Sequence, residues 1–463
     1  MPEGTAPAGA RPRFAFYGDD FTGSVDALLQ FARGGWAGRL LVGVPSPEVL
    51  ARLARLGDPR VDVIGIAGIA RSLPTAELDA EVRPALTALL ASGARVVQYK
   101  ACSTADSSPT VGSLGRVLEI GREVVGTATV PMLFAQPDFG RYTVFGHHFA
   151  AEGGTVHRLD RQPTMSQHPS TPMTESDLAR HLAAQTPLPL GALHYPAYAG
   201  SPAAANAADA LASAIGSAPF AAVVLDAADQ AHVDLVGQAV LALTTARAAV
   251  AQTSDSAGGE QHFVLPGGGA VFAIGAGGLS YGLARAEPGS AGPLPRATPA
   301  RGTVLAVSGS RSARTRAQAD AAAAAGWTVL PLPLAPSPEF IAEVAATLRA
   351  GTSVALTSDD ADLAPAVGRP VLVAIAEAAT SVVEGAARAG AVGRVIVCGG
   401  DTSSRVTRLL GVESLSIAAN PEGNIVLCTA HAPDPAIDGL ELLLKGGQVG
   451  DDALFDRIRL LGA

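Results

Sequence analysis

The sequence contains few cysteines and no long apolar run, and each absence excludes a class of protein. Cys102, Cys398 and Cys428 are the three cysteines among 463 residues, and they stand far apart. This number and spacing exclude a disulfide framework and a zinc ribbon, so a cytoplasmic protein is expected. The apolar runs are too short to span a bilayer, and the first residues lack the apolar core of a secretion signal. We therefore expect no membrane partner.

The sequence also lacks a run of positive charge. Its formal net charge is -9 at pH 7, and its basic residues are scattered along the chain. Because nucleic acids are bound by clustered lysines and arginines, we expect no nucleic-acid partner. The acidic balance does not exclude a phosphate-bearing ligand, since backbone N–H groups can bind phosphate.

Three fingerprints of nucleotide and metal sites are missing as well. There is no GxxxxGK[ST] stretch, which excludes a Walker-type loop. There is no GxGxxG followed by an acidic residue, so an NAD-dependent dehydrogenase is not indicated. His147 and His148 have no acidic partners at a ligand spacing, so we expect no metal cage made by the protein.

Short β-rich runs alternate with Ala-rich helical runs along the whole chain, which predicts an α/β fold. The length predicts two domains, each a mostly parallel sheet flanked by helices, with the ligand cleft between them. Residues 286–302 are crowded with Pro and Gly and form the predicted linker. It separates an N-terminal domain, 13–285, from a C-terminal domain, 303–463, and residues 1–12 are predicted to be a disordered tail.

Polar residues cluster where predicted strands of the first domain end, which is where open α/β sheets bind ligands. Asp19 and Asp20 follow the strand Phe14–Tyr17 and precede a helical pattern. One aspartate could cap that helix while the other is solvated; alternatively, the pair could hold substrate hydroxyls or accept a proton. The predicted strands are Phe14–Tyr17, Val61–Ile66, Arg95–Tyr99, Met132–Ala135, Ala221–Leu225, Thr303–Val307, Thr328–Leu330, Ser353–Leu356 and Arg394–Val397.

Two further loops of the first domain carry candidate binding groups. Lys100 ends a strand and could pair with a substrate carboxylate, while Ser103 and Asp106 could bind sugar hydroxyls. The alternative for this loop is a Ser-rich turn with a surface lysine. His168 lies in a Pro-rich loop and is either a substrate contact or a structural residue.

In the second domain, two Gly- and Ser-rich loops each follow a predicted strand and precede a helix. They are "VSGSRS", which contains Ser308 and Ser310, and "CGGDTSS", which contains Gly399 to Ser403. Small residues and N–H donors at a helix N-terminus suit a phosphate, so the pair predicts a nucleotide site. A third stretch, "LKGGQVG", is interpreted on its own as a surface turn.

Together the motifs resemble those of the four-carbon acid sugar kinase family. The matching stretches cover nearly the whole chain in the family's order: "DDFTGSVD", "YKACSTADSSPTVGSLG", "MSQHPSTPMTESDL", "AIGAGGLSYGLA", "VSGSRSARTRAQ", "CGGDTSSRV" and "LKGGQVG". The resemblance implies an ATP-dependent kinase, with ATP and Mg²⁺, acting on the terminal hydroxyl of 3-oxo-tetronate or a relative such as 3-oxo-isoapionate. A D-threonate or D-erythronate kinase and a non-catalytic sugar-acid sensor are the alternatives. A homodimer is the default assembly.

The resemblance also implies which residues face each ligand. Asp20 would orient or deprotonate the attacking hydroxyl, and Lys100 or Arg161 would pair with the acid's carboxylate. Mg²⁺ would be held largely by ATP and water. Departures from the family pattern at Ala105, Arg311, Gln448, Val449 and the segment 136–169 bear on which sugar acid is used. The residues implied to face the substrate are Asp19, Asp20, Lys100, Ser103, Asp106, Arg161 and His168. Those implied to face ATP are Ser308, Ser310, Gly399, Gly400, Asp401, Thr402 and Gly447.

Overall fold

The computed structural model describes residues 11–55, 61–198, 207–256, 269–296, 298–299, 303–359 and 370–462. Contacts between Cα atoms divide the chain into two compact units. The first contains Met1–Arg39 and Gly43–Pro293, and the second contains Leu40–Val42 and Leu294–Ala463. Most of the predicted tail and part of the predicted linker lie outside the described residues, so both boundaries stay predictions.

The first unit is built on a parallel sheet. Up to residue 293 the strands are β1 (Phe14–Gly18), β2 (Gly38–Val42), β3 (Val63–Ala67), β4 (Val96–Lys100), β5 (Val130–Leu133), β6 (Arg141–Val144), β7 (His147–Glu152), β8 (Thr155–Arg158), β9 (Leu190–Leu193), β10 (Ala222–Leu225) and β11 (Val271–Gly275). The sheet runs in the order β3-β1-β4-β11-β5-β10-β9, and these pairs are parallel.

The strands at the centre of this sheet are buried on both faces because helices cover them. Every residue of β1, β3, β4 and β11 is buried, as expected of near-continuous apolar runs in a parallel sheet. The helices of this unit are α1 (Phe21–Arg33), α2 (Pro47–Ala54), α3 (Leu78–Ala91), α4 (Leu114–Val125), α5 (Pro163–Ser166), α6 (Leu178–Ala183), α7 (Ala207–Ser217), α8 (Gln230–Ser256) and α9 (Gly277–Ala286).

A small antiparallel sheet, in the order β6-β7-β8, was not predicted from the sequence. It follows β5, and Thr143 of β6 exchanges backbone hydrogen bonds with Ala227 beyond the end of β10. Single-turn 3-10 helices also join the elements of this unit. They are Ala70–Ser72, Thr75–Glu77, Pro137–Phe139, Leu159–Arg161 and Tyr195–Ala197.

The second unit combines five parallel strands with an antiparallel hairpin. Its strands are β12 (Thr303–Ser308), β13 (Thr328–Pro331), β14 (Val354–Thr357), β15 (Val392–Cys398), β16 (Ser414–Glu422), β17 (Ile425–His431) and β18 (Glu441–Lys445). The order is β13-β14-β12-β15-β18-β17-β16, where β16 and β17 form the hairpin. Leu40 and Leu41 of β2 pair with β16 and belong to this unit. The helices are α10 (Ala313–Ala324), α11 (Pro338–Arg349), α12 (Val371–Arg388), α13 (Gly400–Leu409) and α14 (Leu454–Arg459).

The predicted α/β class is therefore confirmed for both units, and all nine predicted strands are present with shifts of one or two residues. The turn of the β16–β17 hairpin lies at residues 423–424. Within the part of the chain that the structure describes, every helix is too short or too polar to cross a membrane. A ligand cleft between the domains stays a prediction.

Candidate active site

The carboxyl ends of three neighbouring strands of the first unit lie side by side. Gly18 of β1 stands in register with Lys100 of β4, which in turn stands in register with Gly275 of β11. Because parallel strands end at the same edge, the residues that follow them meet there. The backbone ties the ends together, since Asp19 N–H donates to the carbonyl oxygen of Lys100 and Ala101 N–H to that of Gly275.

Asp19 and Asp20 share one arginine that the sequence analysis missed. Arg71 Nη2 donates to Asp19 Oδ1 at 2.7 Å and to Asp20 Oδ1 at 3.0 Å. Its Nη1 reaches Asp20 Oδ2 at 3.0 Å, and its Nε reaches Asp19 Oδ2 at 3.3 Å. A guanidinium fork in contact with four carboxylate oxygens fixes both side chains and offsets much of their mutual repulsion.

The two aspartates differ in what surrounds them. Asp19 is buried, and burial raises the pKa of its carboxyl above the ordinary value, although the charge of Arg71 opposes that rise. Asp20 is about one-third exposed, and its Oδ1 also accepts from Gly23 N–H, which caps α1. One aspartate therefore caps the helix, as one alternative predicted, but the other, Asp19, is buried and not solvated. The cap does not exclude a second role for Asp20, because its Oδ2 has Arg71 as its hydrogen-bond partner and remains at the surface of the site.

Lys100 lies beside this pair and is not a surface lysine. The residue is 4% exposed, and its Nζ donates to the carbonyl oxygen of Ala101 at 3.1 Å. A methyl group on Gly23 would lie 3.1 Å from Lys100 Nζ and 2.3 Å from Asp20 Oδ1, so glycine lets the cation and the carboxylate converge. An ammonium group has three donors, and among the described residues Nζ has no other partner. Lys100 therefore retains donors for an anionic ligand.

Two loops that the sequence treats separately meet at Asp106. Its Oδ1 accepts a hydrogen bond from Thr171 Oγ1 and lies 3.7 Å from His168 Nδ1. Thr171 Oγ1 is also 2.8 Å from His168 Nδ1. The structure thus brings the candidates Asp106 and His168 together through Thr171, a residue of the "MSQHPSTP" stretch that was not predicted to take part.

Ser103 takes part through its backbone, where it is held by His148. His148 is fully buried, its Nε2 lies 2.8 Å from the Ser103 carbonyl oxygen, and its Nδ1 lies 2.9 Å from Thr143 Oγ1. A carbonyl can only accept, so Nε2 carries a proton. Burial lowers the pKa of His148 to about 3.

Acid should therefore weaken the fold through His148. Below its unfolded pKa of about 6.5 the unfolded chain binds a proton that the folded chain does not, so stability falls as pH falls towards 3. By pH 5 the loss is expected to be about 2 kcal/mol. Denaturant unfolding of His148→Gln at pH 7 and pH 5 should show a correspondingly smaller loss. An unchanged pH slope in the variant would contradict this role.

Arg161 is not brought to this edge. Its side chain is 75% exposed, and its Nε pairs with Asp160 at 3.3 Å. Among the described contacts, none joins it to Lys100, Asp106 or His168. As a partner for a substrate carboxylate, Arg161 has less support from the structure than Lys100 has.

The second unit has its own row of strand ends. Ser308 of β12 is in register with Cys398 of β15, which is in register with Lys445 of β18. The backbone again joins neighbours, as Gly309 N–H donates to the Cys398 carbonyl oxygen and Gly399 N–H to that of Lys445. The loops containing Ser310, Gly399 and Gly447 therefore meet at one edge.

Glycines keep these loops close and leave their backbone open. A side chain on Gly309 would place its Cβ 2.3 Å from Thr402 Oγ1, and one on Gly447 would lie 2.6 Å from Ser310 Oγ. Gly399 has a φ of +107°, which favours glycine, and no side chain caps α13. Gly400 has no atom within 4 Å of its Cβ position, and Asp401 is exposed in the first turn. A helix N-terminus open in this way fits a phosphate group.

Lys445 is the second functional candidate that the sequence analysis missed. It is 1% exposed and is the last residue of β18, and the surface turn predicted for "LKGGQVG" follows it. Its Nζ donates to Thr315 Oγ1 at 3.1 Å, and Thr315 Oγ1 donates to the Gly447 carbonyl oxygen at 2.9 Å. Burial lowers the pKa of the ammonium group, and no carboxylate pairs with it among the described residues. A buried cation without an anion suits a phosphate-binding edge.

The donor set of both edges indicates what each can hold. Carboxylates, a lysine and hydroxyl groups in the first unit suit a hydroxylated anion, while N–H groups, serines and a lysine in the second suit phosphates. Among the residues that the structure describes, no three His, Cys, Asp or Glu side chains gather as a metal site.

Comparison with known proteins agrees with this division. The family model described as "Sugar-binding N-terminal domain" matches residues 14–262, and that described as "Nucleotide-binding C-terminal domain" matches residues 305–455. A crystal structure of a Haemophilus influenzae protein covers 97% of this chain and 100% of its own, with a TM-score of 0.69 and 20% identity, which shows a shared fold.

Two curated relatives match over almost their whole length. A 3-oxo-isoapionate kinase of Paraburkholderia graminis is 36% identical over 96% of this chain and 93% of its own length. A 3-oxo-tetronate kinase of Pseudomonas fluorescens is 30% identical over 96% of both chains. The chain belongs to the four-carbon acid sugar kinase family.

Proposed function

We propose that the chain is an ATP-dependent kinase that phosphorylates the terminal hydroxyl of a small sugar acid, 3-oxo-isoapionate or 3-oxo-tetronate. Two rows of strand ends support this proposal. In the first unit, Arg71 binds two carboxylates next to Lys100. In the second unit, open N–H groups lie at the edge where Lys445 ends its strand. The names of the full-length relatives support the same activity. A cytoplasmic location agrees with the free, buried thiols of Cys398 and Cys428, and a homodimer stays a prediction.

In this proposal Lys100 binds the carboxylate of the acid. The two donors of Nζ that remain are buried, so an ion pair formed there is little screened by water. Asp106 lies on the loop that follows β4, His168 lies beside it on the loop that follows α5, and both bind hydroxyl groups of the acid. Thr171 positions both of them through its hydroxyl.

Asp20 orients the attacking hydroxyl and accepts its proton. Arg71 keeps the carboxylate in place, and the cap to Gly23 sets its rotamer. Phosphoryl transfer depends mainly on positioning and on neutralising charge, so a held carboxylate suits the task better than a strong but mobile base. Asp19 accepts two further hydrogen bonds from Arg71 and so helps to hold the guanidinium group in place.

In the second unit, Ser308, Ser310, Gly399, Gly400, Thr402 and Gly447 would hold the phosphates of ATP, with Lys445 beneath them as a fixed positive charge. When bound, ATP supplies the phosphoryl group and Mg²⁺ neutralises phosphate charge. Asp401 is exposed at the first turn of α13 and would contact the nucleotide or water around the ion. Mg²⁺ would be held chiefly by phosphates and water.

A coupled ADP-release assay tests the proposal. The purified chain is incubated with ATP, Mg²⁺ and each of 3-oxo-isoapionate, 3-oxo-tetronate, D-threonate and D-erythronate. Acid-dependent ADP formation is expected with one of the 3-oxo acids, above the rate with ATP alone. A rate that no acid changes, combined with calorimetric binding of an acid, would favour the non-catalytic sensor instead.

Gly447 should decide the affinity for ATP. In Gly447→Ala the new Cβ would lie 2.6 Å from Ser310 Oγ and 3.0 Å from Ser312 Cβ, which forces the two loops apart. We expect the KM for ATP to rise about tenfold, since a displaced hydrogen bond costs on the order of 1 kcal/mol, while the KM for the acid stays unchanged. Gly446→Ala is the control, because its Cβ meets Val449 at an ordinary 3.6 Å. Equal KM values for ATP in the two variants would contradict the assignment.

A further inference from the structure

The first turn of α9 has an unusual polar neighbour, Gln136. This residue follows β5 and is 3% exposed. Its backbone N–H donates to Arg141, but its side-chain amide has no hydrogen-bond partner among the residues that the structure describes. Neither amide atom is among the fully buried side-chain atoms that lack a partner, so the amide of this largely buried residue reaches open space that a ligand could occupy.

Gln98 shows how the same edge treats a structural glutamine. Its Nε2 donates to the carbonyl oxygens of Gly275 and Ala276, and its Oε1 accepts from Ser280 Oγ at 3.0 Å. Gln98 is fully buried and fully used, whereas Gln136 is buried and unused. The difference indicates that Gln136 serves something that the protein itself does not provide.

The free amide points at the start of α9, beside a carboxylate. A Cβ on Gly277 would lie 2.9 Å from Gln136 Oε1, 3.0 Å from its Nε2 and 2.5 Å from Asp26 Oδ2. Asp26 Oδ1 already accepts from Gln30, so Oδ2 is the oxygen that faces Gly277. No side chain caps α9 at Ala276, and among the described residues the N–H groups of Gly277 and Gly278 have no acceptor. Donors and acceptors therefore stand together around one glycine.

This cluster belongs to the edge that carries Lys100. Gly275 ends β11 in register with Lys100 on the neighbouring strand, and β11 is two strands away from β1. Two strand spacings are about 10 Å, a distance that a small hydroxy acid and the surrounding side chains can bridge. Asp26 lies on α1, the helix that Asp20 caps.

Charge decides which part of a ligand would bind here. Asp26 is joined by Asp138, whose pKa is raised first by burial and then by the charge of Asp26. A carboxylate or phosphate would meet two negative groups, with Arg33 the nearby cation that acts on Asp138. Hydroxyl groups suit the cluster better, because they can donate to Asp26 and accept from Gln136 and the helix N–H groups.

We infer that Gln136, Asp26 and the first turn of α9 form a hydroxyl-binding subsite that selects which sugar acid is accepted. This inference rests on the proposed function. Lys100 holds the carboxylate end of the acid, and the subsite recognises a hydroxyl at the other side of the edge. A site built to bind a hydroxyl discriminates strongly against an acid that lacks it, because its polar groups are then left unpaired.

Gln136→Leu tests the subsite while keeping the side-chain volume. We expect the KM for the accepted acid to rise about tenfold, the KM for ATP to stay within about twofold, and the melting temperature not to fall. An analogue of the acid that lacks the recognised hydroxyl should bind the original chain about tenfold more weakly than the acid does. The variant should bind the analogue and the acid with nearly the same affinity, because the hydroxyl and Gln136 are coupled partners. Gln238→Leu, on the exposed face of α8, is the matched control and should change neither KM.

Two results would overturn the inference. One is a lowered melting temperature with an unchanged KM for the acid, which would make Gln136 a structural residue. The other is that the acid lacking one hydroxyl loses the same factor of affinity for the original chain and for Gln136→Leu. If the original chain releases no ADP with any acid, the proposed kinase activity fails. Calorimetric titration of the same acids then tests the subsite separately. An equal affinity of the original chain and of Gln136→Leu for each acid would overturn the subsite.

Discussion

Replacing Asp20 with asparagine is expected to lower kcat by about 1,000-fold, the size of effect that general base catalysis supplies. The amide is nearly isosteric with the carboxylate, and its oxygen can still accept from Gly23 N–H and keep the cap on α1. It cannot take a proton from the attacking hydroxyl, and it removes one negative charge from Arg71. Because the nucleotide edge is built from other residues, the affinity for ATP should not change. Steady-state ADP release and calorimetric titration with ATP measure the two quantities.

The exposed Asp209→Asn on α7 serves as the matched control and should retain normal turnover. A near-normal kcat for Asp20→Asn would show that Asp20 is a helix cap and an Arg71 ligand without a role in chemistry. A loss of turnover accompanied by a large fall in melting temperature would point to the cap rather than the base, so thermal unfolding is measured on the same samples.

Replacing Lys100 with methionine is expected to raise the KM for the acid about 100-fold, because charge-assisted hydrogen bonds are worth on the order of 1.5–3 kcal/mol. Methionine fills a similar volume and leaves no charge at this buried strand end. The fold should tolerate the change, since the one hydrogen-bond partner of Nζ among the described residues is the Ala101 carbonyl oxygen. The KM for ATP should remain as it was.

A neutral analogue separates the two explanations of such a result. The amide of the accepted acid lacks the carboxylate, so its binding should be equally weak for the original chain and for Lys100→Met. If Lys100→Met binds the acid as tightly as the original chain does, another cation holds the carboxylate, and Arg161 becomes the candidate to test.

The strand ends could be predicted from sequence because they need only local information. Apolar runs such as Phe14–Tyr17 predict a buried strand. Because ligands bind at the carboxyl ends of parallel strands, Asp19 and Lys100 then become candidate site residues. Arg71 could not be found in this way. It lies 52 residues from Asp19 in a stretch without a recognisable pattern, and it reaches the aspartates only because β1 and β3 are neighbours in the sheet.

Lys445 did leave a signal in the sequence, one of composition rather than pattern. Of the 33 basic residues, only Lys100 and Lys445 are lysines, and both prove to be buried at the end of a strand. A chain that uses arginine nearly everywhere else retains lysine where a compact ammonium group is needed. The small sheet β6-β7-β8 has no comparable signal in the sequence, because its strands are short and only partly buried.

Hydrogen exchange shows whether the second unit binds ATP and the first unit binds the acid. With Mg²⁺ and a non-hydrolysable ATP analogue alone, slower exchange is predicted in peptides that contain 308–312, 399–403 and 445–447. With the acid alone, slower exchange is predicted in peptides that contain 19–23 and 100–106. Protection of the first unit by the nucleotide, or of neither unit by either ligand, would show that the two ligands are not divided between the units in this way.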